Sequence, residues 1–292
     1  MKFFSAAVIV GLVMSTLTYK PLSVSIYKSL TLDSLGACQG ISFQNGKYFL
    51  YGDREVGVMR AYTLKGDSLR YDHNEYRFTI KGENIIKHPT GIAFKKGMPT
   101  FIGNSVRQNA AGTSWKAVIY AIDWSGFLKT KTLDGHLLKT IADDACIQGA
   151  RPEYVKHKGK WFMATADYGN KANEVRLYDA AKLAKADKTS EKGLLYKKFN
   201  CSPWVQNLHF IENKGILVLI QNQVEGRKWR LTFLDLDKSI TNGKGEVIKV
   251  IDTDKADELE GFTLTDNPRK GIAVSSSRKN NVSLVNINWS SN

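Results

Sequence analysis

Cysteine is scarce: three in 292 residues, Cys38, Cys146 and Cys201. None stands in a C-x-x-C pair, which excludes a disulfide-framed fold, a zinc ribbon and a thioredoxin-type redox motif. An odd count leaves at least one thiol unpaired, and a Cys146–Cys201 bridge is open only in an oxidising compartment. Proline is also rare, at six residues, so no Pro-rich linker divides the chain. G-x-S-x-G, H-E-x-x-H, P-loop and EF-hand patterns are all missing, which removes the common nucleophile-elbow, zinc-protease, nucleotide and calcium-loop readings. Acidic residues are outnumbered, 28 against 42 lysines and arginines, for a formal net charge of +14. The positive charges are scattered and build no nucleic-acid-binding arm, so the expected partners are a small polar or anionic molecule, or an acidic glycan or other acidic surface. Nucleic acid is not expected.

Long apolar runs are confined to one place. After Met1-Lys2, residues 3–17 are almost wholly apolar or small, and Tyr19-Lys20-Pro21 ends the run. Fifteen residues suit a signal-peptide core better than a spanning helix, which needs about 20. The expectation is a signal peptide or N-terminal anchor over 1–21, with residues 22–292 forming one secreted or periplasmic domain. Apart from that anchor, no membrane contact is expected.

What is abundant is repetition. A short strand, a Gly-containing turn, a strongly apolar strand, a polar cluster and a third strand recur along the chain. The first strands begin at Gln39, Thr90, Pro152, Gln206 and Glu260, separated by 51, 62, 54 and 54 residues. Apolar second strands follow, such as Tyr48-Phe49-Leu50-Tyr51 and Ile216-Leu217-Val218-Leu219-Ile220. Third strands alternate apolar and polar residues, as in Trp229-Arg230-Leu231-Thr232-Phe233-Leu234-Asp235. A three- or four-stranded unit every ~55 residues is the mark of a β-propeller blade. The fold class is therefore all-β, a propeller of five blades, or six if the longer 90–152 interval merges two. Ser23-Val24-Ser25-Ile26-Tyr27 is expected to supply the outer strand missing from the last blade and close the ring. One helix is expected, over Asp179–Lys188; Ser125–Thr140 is ambiguous.

The first strand of each blade lines a propeller's axis, so the repeat converts positions into a ring. Its members are Gln39, Thr90, Glu153, Gln206 with Asn207, and Glu260, with His88, Arg151, Trp204 and Glu258 just upstream. A second polar column follows the second strands and includes Asp53, Asp167 and Gln221. Glu153 and Glu260 are candidates either to ligate a divalent cation, calcium first among them because it prefers oxygen ligands, or to act as acid and base. A structural ion pair with Arg151 or a lysine is the plain alternative. His88 is the candidate proton carrier and Arg151 the candidate anion clamp.

Two of these segments resemble known families. Leu259-Glu260-Gly261-Phe262 is similar to the acidic channel strand of phytase-like and SMP-30/gluconolactonase-like propellers, whose acid often holds a divalent metal. Cys38-Gln39-Gly40-Ile41 is similar to the Q-G-[LI] segment of glutaminyl cyclotransferase-like propellers. The resemblance implies a secreted propeller and a metal-dependent hydrolase or related enzyme. The chain departs from it at Gln39, where the lactonase-like pattern has an acid, and at Thr90, where the cyclotransferase pattern has one. The competing reading is a non-catalytic binding or scaffold propeller that uses its basic surface.

Overall fold

The computed structural model describes residues 22–53, 56–171, 173–223 and 226–289. The apolar segment 1–21 lies outside the described residues, and among them no helix is long and apolar enough to cross a membrane.

Five four-stranded antiparallel meanders surround an axis. Blade one runs Cys38–Gln44, Lys47–Gly52, Val58–Lys65 and Ser68–Arg77 from the axis outward. Blade two comprises Pro89–Ala93, Thr100–Arg107, Trp115–Ile122 and Leu137–Ala142. Blade three has Glu153–His157, Lys160–Ala166, Glu174–Tyr178 and Leu195–Asn200. In blade four the strands are Val205–Ile211, Ile216–Asn222, Trp229–Asp235 and Glu246–Asp252. Blade five contributes Leu259–Leu264, Lys270–Ser275 and Val282–Asn288, and its outermost strand is the N-terminal Ser23–Leu30. The count is five. The long 90–152 interval is one blade enlarged by the helix Trp124–Thr130 and its loops.

The ring closes as expected. Ser23–Leu30 pairs antiparallel with Val282–Asn288, from Ser23 opposite Asn288 to Leu30 opposite Val282. Asn281 adds a clasp: its Oδ1 accepts the Leu32 N–H and its Nδ2 donates to the Leu32 carbonyl, both at 2.8 Å. Asn281 is itself buried. Asn281→Ala removes both bonds and is expected to lower stability by about 1–3 kcal/mol in urea titration. An unchanged midpoint would show that strand pairing alone holds the ring.

Stability resides between the blades. Each adjacent pair sandwiches one apolar cluster, and five clusters fill the five interfaces. Between blades one and two, Phe127 is fully buried and stacks on Phe78 with ring centroids 5.5 Å apart. Burying one such side chain contributes about 1.5–3 kcal/mol.

The helices differ from expectation. Instead of one over 179–188, there are three short α-helices among the described residues, Trp124–Thr130, Ala180–Leu183 and Leu236–Asn242, besides one 3-10 turn at Glu212–Lys214. Each α-helix follows the third strand of its blade and starts from an aspartate N-cap. Asp123, Asp179 and Asp235 accept from the backbone N–H three residues on, which satisfies an otherwise orphaned donor. The alanine-rich segment after Asp179 stops at Leu183 because the chain must return to the outer strand Leu195–Asn200. All three cysteines are free thiols, so the Cys146–Cys201 bridge is not formed. Cys146 is buried instead against the Arg176 guanidinium, with Nη2 2.6 Å from its Sγ.

Candidate functional site: an arginine in the upper axial cavity

The first strands contact one another around the axis. In four blades this strand carries a bulge near its start. Cys38, Pro89, Val205 and Leu259 pair with Gly52, Asn104, Gln221 and Ser275, and the following residue is squeezed out of the ladder. Those extra residues are Gln39, Thr90, Gln206 and Glu260. A bulge re-aims a side chain, and all four are buried polar groups.

Blade three lacks the bulge. Ala150 pairs with Asp167 and Glu153 with Ala164, with no residue inserted. Glu153 therefore stands level with Ser42, Ala93, His209 and Thr263, lower in the channel, and Arg151 takes the upper position. This corrects the expectation that Glu153 and Glu260 share a ring.

A waist separates the two levels. Gly40, Gly91 and Gly261 follow the bulges, and there the blades close to backbone contact. A Cβ on Gly261 would lie 2.9 Å from the Gly40 Cα, and one on Gly91 would lie 2.8 Å from Pro152 Cδ. Asn207 completes the waist. Its Nδ2 donates to the Tyr51 hydroxyl at 2.9 Å and to the Glu260 carbonyl at 3.2 Å. No residue lines both the cavity above and the cavity below.

The upper cavity measures about 290 Å³, and Gln39, His88, Arg151, Gln206 and Glu260 all line it. Glu258 lines it too, so six of the residues placed at the axis from sequence meet here; Arg107, Gln148 and Arg227 were missed, because they reach the cavity from a strand end and loops. Beyond His88 and Arg107 the space opens into a side groove of about 600 Å³ that also reaches Asp53 and Lys87.

Arg151 dominates the electrostatics. It is 3% exposed, yet its Nε and Nη1 have no hydrogen-bond partner, and it makes no ion pair with a described residue. Gly149 lets it lie close to the backbone, since a Cβ there would fall 2.5 Å from Nη1. Its guanidinium sits 5.8 Å from the Tyr168 ring centroid, and Trp204 props that ring edge-on at 5.4 Å. Burial lowers the Arg151 pKa, opposed by Asp167 and Glu260, and arginine remains a cation at ordinary pH. Burial also raises the Glu260 pKa well above the usual carboxylate range, with repulsion from Glu258 adding and Arg151 opposing. Glu258 itself pairs with Arg227 at 2.9 Å. At the cavity edge, His88 Nδ1 lies 3.1 Å from Asp53 Oδ2.

Other expected site residues hold the walls. Thr90 Oγ1 donates to the Ala150 carbonyl at 2.5 Å. Asp167 accepts the N–H groups of Ile147 and Gln148 at 2.9 and 2.8 Å, which fixes the loop beside Arg151. Gln221 is saturated by Thr232, Ser202 and Pro203. Among the described residues, no three His, Cys, Asp or Glu side chains converge as metal ligands. The upper cavity sets two carboxyls, Glu260 and the Arg227-paired Glu258, beside a bare guanidinium, and that donor set suits an anion better than calcium, which takes six to eight oxygens.

Fold and cavity together define a five-bladed β-propeller with an arginine-lined axial pocket. No family model matches the chain, and no curated protein matches it. Among solved structures it is similar to a chain of Kuenenia stuttgartiensis hydrazine synthase, at 13% identity and TM-score 0.44, over 85% of this chain and 58% of that one. It is also similar to a chain in the crystal structure of the mitotic checkpoint complex, at 10% identity and TM-score 0.46, over 86% of this chain and 62% of that one. This chain thus spans about three-fifths of either structure's chain.

Proposed function

We propose that this propeller binds a small polar anion, a carboxylate or phosphate group on a hydrogen-bonding body, in its upper axial cavity. The observation that carries the reading is Arg151, a buried guanidinium with two unpartnered nitrogen donors. A buried charge without partners is costly, and a planar bidentate anion takes two parallel N–H donors from one edge of the guanidinium, Nη2 with either Nε or Nη1. Gln39 and Gln206 supply neutral hydrogen bonds beside it, and Glu260, whose pKa burial raises, would donate from its protonated form rather than repel.

A second reading, acid–base catalysis on the bound anion, rests on the Asp53–His88 contact. Asp53 fixes the ring through Nδ1, which leaves Nε2 for proton transfer. Hydrolysis of a phosphoester or lactone is the reaction class this would serve.

The test is thermal unfolding after chelator treatment, with inorganic phosphate, succinate or calcium added singly. A ligand that binds only the folded state stabilises it by about 2.7 kcal/mol at one hundred times its Kd. Phosphate or succinate is expected to raise the Tm and calcium to leave it unchanged. A calcium shift abolished by Glu260→Gln would reverse the assignment. Heparin binding that salt abolishes and Arg151→Met does not affect would favour the surface scaffold instead. Turnover lost in His88→Gln with phosphate binding intact would establish the catalytic reading.

A further inference from the structure

Below the waist the channel opens into a separate cavity of about 160 Å³ with an aromatic mouth. Phe43, Phe94 and Phe210 follow the channel residues Ser42, Ala93 and His209 on three different blades, and Trp161 stands on the strand beside Glu153. Trp161 and Phe210 meet edge to face, with centroids 6.2 Å apart and planes at 89°, so their rings form two walls of a corner. Two carboxyl groups complete it: Glu153 and Glu212 both line the cavity. Glu153 accepts the Tyr154 N–H at 2.8 Å and pairs with no cation among the described residues. Aromatic faces carry negative quadrupole potential, and a desolvated corner of such faces beside a carboxylate attracts a cation.

The chain already places an ammonium there. Lys95 Nζ lies 3.8 Å from the Trp161 ring centroid and 3.0 Å from Glu212 Oε2. Lys156 Nζ stands farther off, 5.6 Å from the same centroid and 3.4 Å from Glu212 Oε1. Lys95 is one-third exposed, on a flexible stem at the rim, so a competing cation can displace it. We propose that the lower mouth is a binding site for an organic ammonium group, from a free alkylamine or from a lysine side chain of a partner protein, which takes the place on Trp161 that Lys95 holds in the free protein. This site is independent of the upper cavity.

Its pH dependence follows from the groups around it. Burial pushes the Glu153 pKa up to about 8, so the carboxyl is mostly protonated at neutral pH. His209 faces the same cavity; burial lowers its pKa to about 4, and its Nε2 accepts the Leu264 N–H, so it stays neutral. Lys95, Lys156 and Glu212 stand at the rim, and Ser42 and Thr263 on the walls carry no charge. An incoming ammonium would ionise Glu153 and release its proton.

The experiment is calorimetric titration of the purified chain with tetramethylammonium, butylammonium and an N-acetyl-Gly-Lys-Gly amide peptide, at constant ionic strength. Lys95→Met is expected to tighten binding about 3–10-fold, and Trp161→Leu to weaken it about 5–30-fold. At pH 7 the wild type should release protons on binding, read from buffers of different ionisation enthalpy, and Glu153→Gln should not. Binding of the free amines identifies a small-molecule source, and binding of the peptide alone identifies a partner lysine. No binding of any probe to either the wild type or Lys95→Met would overturn the proposal. So would Lys95→Met weakening binding, a result that stands even if Trp161→Leu fails to fold.

Discussion

Arg151→Met is expected to make the protein more stable and unable to bind anions in its upper cavity. Arg151 is buried with Nε and Nη1 unpartnered. An unsatisfied buried donor costs about 1–3 kcal/mol, more when it is charged. Methionine is unbranched and adaptable enough to fill the space beside Tyr168 without a polar atom. The urea midpoint should rise by the equivalent of about 1–3 kcal/mol. Truncating one partner of a buried, hydrogen-bonded charge pair costs about 2–5 kcal/mol of binding. Phosphate or succinate affinity should therefore fall about 30-fold or more. Arg151→Lys should restore little, because an ammonium cannot reproduce the planar fork. A variant that is less stable and still binds phosphate would make Arg151 a structural residue and remove the basis of the proposed function.

The second large effect belongs to Glu153 and appears only with pH. Its carboxyl has an ordinary value of 4.5 when exposed and about 8 in the folded protein, raised by burial. Below pH 4.5 both states hold the proton and the group contributes nothing. Between the two values the unfolded chain has released a proton that the folded chain retains, so stability falls as pH rises. Above about 8 the full cost of burying the carboxylate is present. Glu153→Gln removes this cost, and the stabilisation relative to wild type should grow from near zero at pH 4 to on the order of 5 kcal/mol at pH 9. Glu260 titrates in the same direction. Asp67 and Asp72, whose pKa values are lowered, act oppositely. All three are common to both proteins, so the difference between the two urea-midpoint curves isolates Glu153. Parallel curves would mean that water reaches the carboxyl and that the lower cavity is open.

The blades were legible because their physics is local. Apolar runs such as 216–220 need cover on both faces, and positive-φ glycines such as Gly46, Gly97 and Gly159 mark the hairpins. The closing strand was legible too, since blade five ran out of sequence while 23–27 alternated with nothing nearby to pair with. The three helices carried a local signal that went unread: Asp123, Asp179 and Asp235 each end a third strand and cap the following turn. Reading the alanines alone placed one helix and made it too long.

The composition of the axial ring was set by sequence, and its geometry was not. Gln39, Thr90, Gln206 and Glu260 recur at the blade period because each follows the residue that begins its inner strand. Whether a residue there is squeezed toward the axis depends on a bulge, and a bulge depends on pairing with a strand that comes later in the chain. Blade three forms none, so Glu153 drops below the waist and Arg151 rises into the upper cavity. The period of the repeat therefore determined how many blades surround the axis and which residues approach it. Only the packed structure decided which of them meet, because one inserted residue moves a side chain from one side of the Tyr51–Asn207 waist to the other.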